Sequence, residues 1–325
     1  MTKKKAQPKV LLGEEILPGE SRELNFSFAK LLTNTSVDVP IIIERSLYEG
    51  PTILFTAGIH GDEVNGIEIV RQLVSKGINK PKIGTIICIP IINIFGFLQK
   101  LREFPDGRDL NRSFPGSKKG SLAGQVAYQL LNDIIPHVDY CIDFHTGGSS
   151  RFNAPHVRIE KGDAKLTKLA ETFNAPFILH SKNLKKSFRN SCQKKGVPLL
   201  LFEGGKSNSI DSVVSNTGVN GSKRVLDHLG MLRSQFKVSS PKRPSVIISH
   251  SKWIRASASG MFKSAVKVGS MVGPREVIGH ITDPYGKVHY WIKATNKGYI
   301  INVNEAPLVY QGDALFHIST EFSNG

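Results

Sequence analysis

Four short apolar runs stand out in the sequence: "PTILFTAG", "GTIICIPIIN", "VDYCIDFHT" and "VPLLLFEGG". Runs this short and this continuously apolar suit strands buried on both faces, as in a sheet covered by helices. Helical patterns lie between them. "EVNGIEIVRQLVSKG" sets Ile67, Val70, Leu73 and Val74 on one face, with Gly77 as a stop. "SLAGQVAYQLLNDIIPH" does the same with Ala123, Val126, Leu130 and Ile134 up to Pro136. "AKLTKLAETFN" is a further helix, "PFILH" a short strand, and "SVVSNTGVNGSKRVLDHLGML" ends in a helix. The alternation predicts an α/β domain with a mixed, largely parallel sheet flanked by helices.

Residues 1–48 form a β-rich lead-in to this domain, because from residue 8 onward apolar and polar residues alternate as in antiparallel strands. The pattern changes at the Ser/Pro/Lys cluster Ser239–Ser245, which reads as a linker. Residues 245–325 are short β-rich runs punctuated by Gly and Pro, so a small β-barrel or sandwich is expected after a first domain spanning 1–240.

No apolar run reaches the roughly 18–20 residues of a membrane span, so no membrane role is expected. The basic start "MTKKKAQPKV" lacks the apolar core of a signal peptide. Of the three cysteines, Cys88 and Cys141 lie in apolar runs and read as small buried hydrophobes; a reducing cytoplasm is the expected compartment. The net charge of +16 points to an anionic partner or a solvated basic face. Lys182, Lys185, Lys186, Arg189, Lys194, Lys195 and Lys206 face only Glu203 in one stretch, which suits a positive rim around a pocket. Aromatic-interleaved basic motifs are missing, so nucleic acid ranks last.

"ILFTAGIHGDEVNG" places His60 and Glu63 three residues apart where a strand ends, with Gly58 and Gly61 to tighten the turn. "IDFHTGG" places His145 at another strand end, with Asp143 on the same strand face to orient it. Two histidines and a carboxylate are the donor types of a catalytic zinc site. Strand ends of an α/β sheet are where ligands bind, so His60, His145 and Glu203 are expected to gather. "DGRDLNRSFPG" puts Arg108, Asn111 and Arg112 in one loop, chemistry suited to a substrate carboxylate, or else loop staples. Glu203 in "LLLFEGG" is a candidate base whose burial is expected to raise its pKa; the plain alternative is an ion pair with Lys206. Asp62 either shapes the turn or supports a ligand, and Arg151, His156 and Arg158 in "RFNAPHVRIE" are candidate pocket residues.

In order, "GIHGDEVNG", "GRDLNRSFPG", "DFHTGG" and "LFEGG" resemble the succinylglutamate desuccinylase/aspartoacylase family of zinc-carboxypeptidase-like hydrolases. The likeness covers roughly residues 50–205, and the tail resembles the C-terminal domain of the predicted-deacylase branch, with some likeness to a lipoyl-carrier barrel. The resemblance implies one Zn2+ per chain on His60, Glu63 and His145, with Glu203 as general base. It implies Asn111 and Arg112 as the carboxylate grip and Arg108 as the carbonyl-polarising arginine, with Arg102 as the competitor. Tyr285 and Tyr290 both compete for the family's C-terminal tyrosine, and the tail is expected to wall or gate the site.

The function implied is a zinc-dependent deacylase acting on an N-acyl amino acid or similar small carboxylate-bearing amide. The alternatives are a zinc carboxypeptidase trimming C-terminal residues and a non-catalytic binding module; the presence of every ligand position and Glu203 speaks against the last. The expected partner is a small anionic substrate, with a homo-oligomer left open.

Overall fold

The computed structural model describes residues 4–30, 33–240 and 243–324; Met1–Lys3, and Pro241 and Lys242 of the linker stretch, lie outside the described residues. The lead-in is a small hairpin, β1 (Lys9–Leu11) with β2 (Glu14–Ile16), followed by the long antiparallel pair β3 (Ser21–Lys30) and β4 (Ser36–Arg45). Next come β5 (Thr52–Ala57), α1 (Val64–Ser75), β6 (Thr85–Ile89), α2 (Ile94–Gln99), α3 (Leu122–Gln129), β7 (Tyr140–Gly147) and β8 (Arg151–Ile159). Then follow α4 (Ala164–Phe173), β9 (Phe177–His180), α5 (Phe188–Lys194), β10 (Leu199–Lys206) and α6 (Ser212–His228).

All six residues of β5 and all five of β6 are buried, because both faces of the sheet are covered. Ile53, Phe55 and Ala57 point to one side, where α1, α4 and α6 supply Ile69, Val70, Leu73, Phe173 and Val219. Leu54 points to the other, against Val126 and Leu130 of the α3 region and Phe188 of α5. Each such fully buried side chain stabilises the fold by about 1.5–3 kcal/mol.

The pairing agrees with the mixed sheet expected, and β8 and β9 also pair parallel. Strands β6, β5, β7 and β10 run parallel, but β4 joins β6, and β8 joins β10, antiparallel. The sheet is mixed. Pro155 lies inside β8, which therefore reads poorly as a strand; a register shift opposite Glu203–Gly205 accommodates a residue with no N–H to donate.

After the linker stretch come β11 (Val246–Arg255), β12 (Gly260–Ser264), β13 (Met271–Val272), β14 (Val277–Thr282), β15 (His289–Lys293), β16 (Gly298–Asn304), β17 (Leu308–Val309) and β18 (Ala314–Asn324). Strand β11 pairs parallel with β9, and β16 pairs antiparallel with β8. Among the described residues, β11, β18, β16 and β13 thus extend the main sheet to twelve strands, and β12, β14, β15 and β17 form a separate sheet. Phe262, Ile278, Ile281, Leu315 and Phe316 share one core between these two β layers.

Candidate active site

Strands β5, β7 and β10 carry the site at their carboxyl ends. The turn after β5 is tight: Gly58 has φ +64°, and a Cβ at Gly61 would lie 1.9 Å from the Gly96 carbonyl carbon. Only glycine fits there, and the turn brings His60 back over Glu63. Glu63 occupies the N-cap of α1 without capping it, because its carboxylate is committed elsewhere. One oxygen, Oε1, lies 2.6 Å from His60 Nδ1; the other, Oε2, lies 2.8 Å from His145 Nδ1 and accepts the Thr146 N–H at 3.1 Å.

Both histidines are held from behind by carboxylates. His60 Nε2 lies 3.1 Å from Asp109 Oδ1, and His145 Nε2 lies 2.8 Å from Asp143 Oδ2. Asp143 is fixed in turn by the Thr56 hydroxyl at 2.8 Å. If each Nε2–H donates to its carboxylate, each Nδ1 is left as a lone pair aimed at Glu63. Two nitrogen lone pairs and a carboxylate then face one another, with all three donor atoms within 4.8 Å. Acceptors packed this closely require protons or a cation between them. The donor set is the one a zinc ion takes, so the residues present fit the metal.

With protons alone, burial works against a charge on His60, but Glu63 and Asp109 outweigh it and raise its pKa. His145 goes the same way through Asp143 and Glu63. Glu63 itself is held well below the usual carboxylate range by the two histidines, against its burial.

Glu203 sits on β10 directly beside His145 of β7 in the strand register. Burial would raise its pKa, as expected from the sequence, but Arg158, His156 and His145 outweigh it and the net shift is downward. The Arg158 Nε lies 3.0 Å from Glu203 Oε1, and Asn153 Nδ2 donates to Oε2 at 2.6 Å. The carboxylate is therefore ionised at neutral pH and ready to accept a proton. Lys206 is not its partner; it pairs with Glu305 at 2.8 Å.

These residues line one cleft of about 870 Å3, together with Asn111, Arg112, Arg151, Lys182 and Arg189. Asn111 Oδ1 accepts the Phe188 N–H at the start of α5, which leaves the side-chain NH2 as a donor. Arg108 does not reach the cleft. It is 59% exposed, its guanidinium pairs with Asp106 at 3.4 Å, and it lines a different depression. Arg102 lines the cleft instead, holding Asp109 at 2.9 Å and Glu63 at 3.3 Å.

Asp62 is buried in the cleft lining, with one carboxylate oxygen lacking a partner among the described residues. Arg151 and Arg158 line the cleft, whereas His156 lies fully buried beneath it. Neither Tyr285 nor Tyr290 lines the cleft; from the C-terminal strands, Trp253 and Asn302 do. Sequence reasoning missed Asp109, Asn153, Trp253 and Asn302, and gave Arg189 only as part of a basic rim; it is buried in the cleft wall. The "RDLNR" spacing of Asp109 was the one available signal.

The family match and its deacetylase relative mark the chain as a hydrolase of amide bonds, a deacylase by class. The chain belongs to the succinylglutamate desuccinylase/aspartoacylase family, whose catalytic-domain model matches residues 49–229. It is 27% identical over 264 residues to the N-alpha-acetyl-L-2,4-diaminobutyric acid deacetylase of Halomonas elongata, covering 76% of this chain and 75% of that protein. In fold it is similar to the succinylglutamate desuccinylase/aspartoacylase of Rhodobacter sphaeroides, with a TM-score of 0.80 and 23% identity over 94% of this chain and 95% of that one. The product-bound ectoine utilization protein EutE (DoeB) of Ruegeria pomeroyi gives a TM-score of 0.82 at 21% identity, over 98% of this chain and 100% of that one.

Proposed function

We propose that this chain is a zinc-dependent deacylase that hydrolyses an N-acyl amino acid or a similar small amide bearing a carboxylate. The observation that carries the reading is the convergence of His60, Glu63 and His145 within 4.8 Å, beside an ionised Glu203. The catalytic sheet is read as zinc-carboxypeptidase-like, with one ion held by those three residues. Bound there, zinc supplies Lewis acidity, lowering the pKa of water and polarising an amide carbonyl.

The protein's own groups do the rest. Glu203 accepts a proton from the attacking water and returns it to the leaving amine. Arg102, at the cleft edge beside Glu63, donates to the developing oxyanion. Arg112 and the Asn111 NH2 grip the substrate carboxylate. The partner is a small anionic substrate, drawn by Arg151, Lys182 and Arg189 of the cleft wall. The three cysteines are free and buried, in keeping with a cytoplasmic location; among the described residues no helix is long and apolar enough to cross a membrane.

The test is a panel of N-acyl amino acids and short peptides, run with Glu203→Gln alongside. Release of free amino acid from the acyl amides, lost by about 10²–10⁴-fold in the variant with zinc retained, is the expected result. Sequential trimming of peptides instead would favour a carboxypeptidase. Near-wild-type rates in Glu203→Gln would remove the base assignment.

A further inference from the structure

Asn153 and Asn302 are buried, and neither has a part in the chemistry above. They face each other across the β8–β16 pair, where Asn302 is the direct register partner of Asn153. Asn302 Nδ2 donates to Asn153 Oδ1 at 2.7 Å, and Asn153 Nδ2 donates to Glu203 Oε2 at 2.6 Å. The polarity of this chain is fixed from one end. A carboxylate only accepts, so Asn153 must turn its NH2 to Glu203 and its oxygen to Asn302, which must then present its own NH2.

That arrangement has a visible cost. Asn302 Oδ1 is left buried without a partner among the described residues, although Asn302 is only 2% exposed. An unpaired buried oxygen is disfavoured, so its NH2 end is the end the site uses. The surroundings stiffen the link. Val303 and Asn304 continue the pairing to Phe152 and Arg151, and the Lys206–Glu305 ion pair ties β16 to the end of β10. Past Glu203, β10 itself is irregular, with a register shift against both neighbours, so its own ladder holds the Glu203 side chain weakly.

We propose that Asn302, acting through Asn153, is a positioning residue that fixes the orientation of the Glu203 carboxylate, so that the C-terminal strands take part in catalysis through the cleft wall. This rests on the reading of Glu203 as the base. The relay leaves Oε1 as the oxygen turned to Arg158 and the cleft. It acts on the base and not on substrate binding, so its loss reaches kcat before KM.

Asn302→Asp is the decisive variant, because it keeps size and shape but removes the donor. Asn153 must then turn its NH2 to the new carboxylate and its oxygen to Glu203, repelling it. The zinc-loaded variant is compared with the wild type on an N-acetyl amino acid that the wild type cleaves. The side-chain amide resonances of Asn153, assigned by their loss in Asn153→Ser, are followed in parallel. The expected result is a fall in kcat of about tenfold or more with KM within about twofold, unchanged zinc content, and a moved Asn153 amide signal. Wild-type kcat, or a matching rise in KM that accounts for the loss, overturns the proposal. If the wild type cleaves no N-acyl amino acid, the functional reading fails separately, and the Asn153 signal alone decides. Unmoved in Asn302→Asp, it overturns the relay; moved, it supports it.

Discussion

Replacing Arg102 with alanine tests the point on which the structure departs most sharply from the spacing argument. Its guanidinium holds Asp109 Oδ2 through Nη2 at 2.9 Å and Nε at 3.3 Å, and Glu63 Oε1 through Nη1 at 3.3 Å. Two losses follow. The first, on the proposed mechanism, is a donor to the developing oxyanion, typically worth about 2.7–4 kcal/mol, or a fall of about 10²–10³ in kcat. The second is support for Asp109, which orients His60; loosening such a partner lowers metal affinity by about tenfold. Arg108, 59% exposed and paired with Asp106, serves as the internal control, and Arg108→Ala is expected to keep wild-type activity. The assay is kcat and KM under saturating zinc, with zinc affinity measured separately by chelator competition. Wild-type turnover in Arg102→Ala with a large loss in Arg108→Ala would refute the reasoning.

Two further outcomes follow from the same geometry. Asp143→Ala frees the His145 imidazole from its 2.8 Å partner and weakens zinc binding by about 10–100-fold; an unchanged affinity in chelator competition would contradict the orienting role. Burial, reinforced by Arg158, holds His156 at about 4 and His317 at about 3, both below the ordinary histidine value. Both stay neutral when folded while the unfolded chain binds protons, so stability is lost as pH falls below about 6.5. Between about pH 6.5 and 5 each costs about 2 kcal/mol, and the raised histidines His60 and His145 add little there because they are protonated in both states. A melting temperature of the zinc-free protein that stays flat across that window would contradict it.

What could be read in the sequence follows from how locally it is encoded. Strands β5, β6, β7 and β10 announce themselves because burial on both faces leaves each a continuous apolar run, and α1, α4 and α6 because one face packs on the sheet. Strand β8 hides behind Pro155, and α2 and α5 span only six and seven residues. The pairing of β11 with β9 and of β16 with β8 joins residues far apart in the chain, which no local pattern records. The site divides in the same way. His60, Glu63, His145 and Glu203 were legible because each sits at or just past the carboxyl end of a buried strand. Arg102 and Asp109 belong to a loop whose path decides which side chains turn inward. Asn302 and Trp253 come from a part of the chain with no chemistry-bearing motif of its own.

The proposed chemistry depends on the His60–Glu63–His145 group holding a metal. The direct measurement is metal content of the protein purified without added metal, beside His145→Ala. About one zinc per chain in the wild type, falling sharply in the variant while the fold is kept, is the predicted result. A wild type that takes up no metal even when zinc is offered would contradict it.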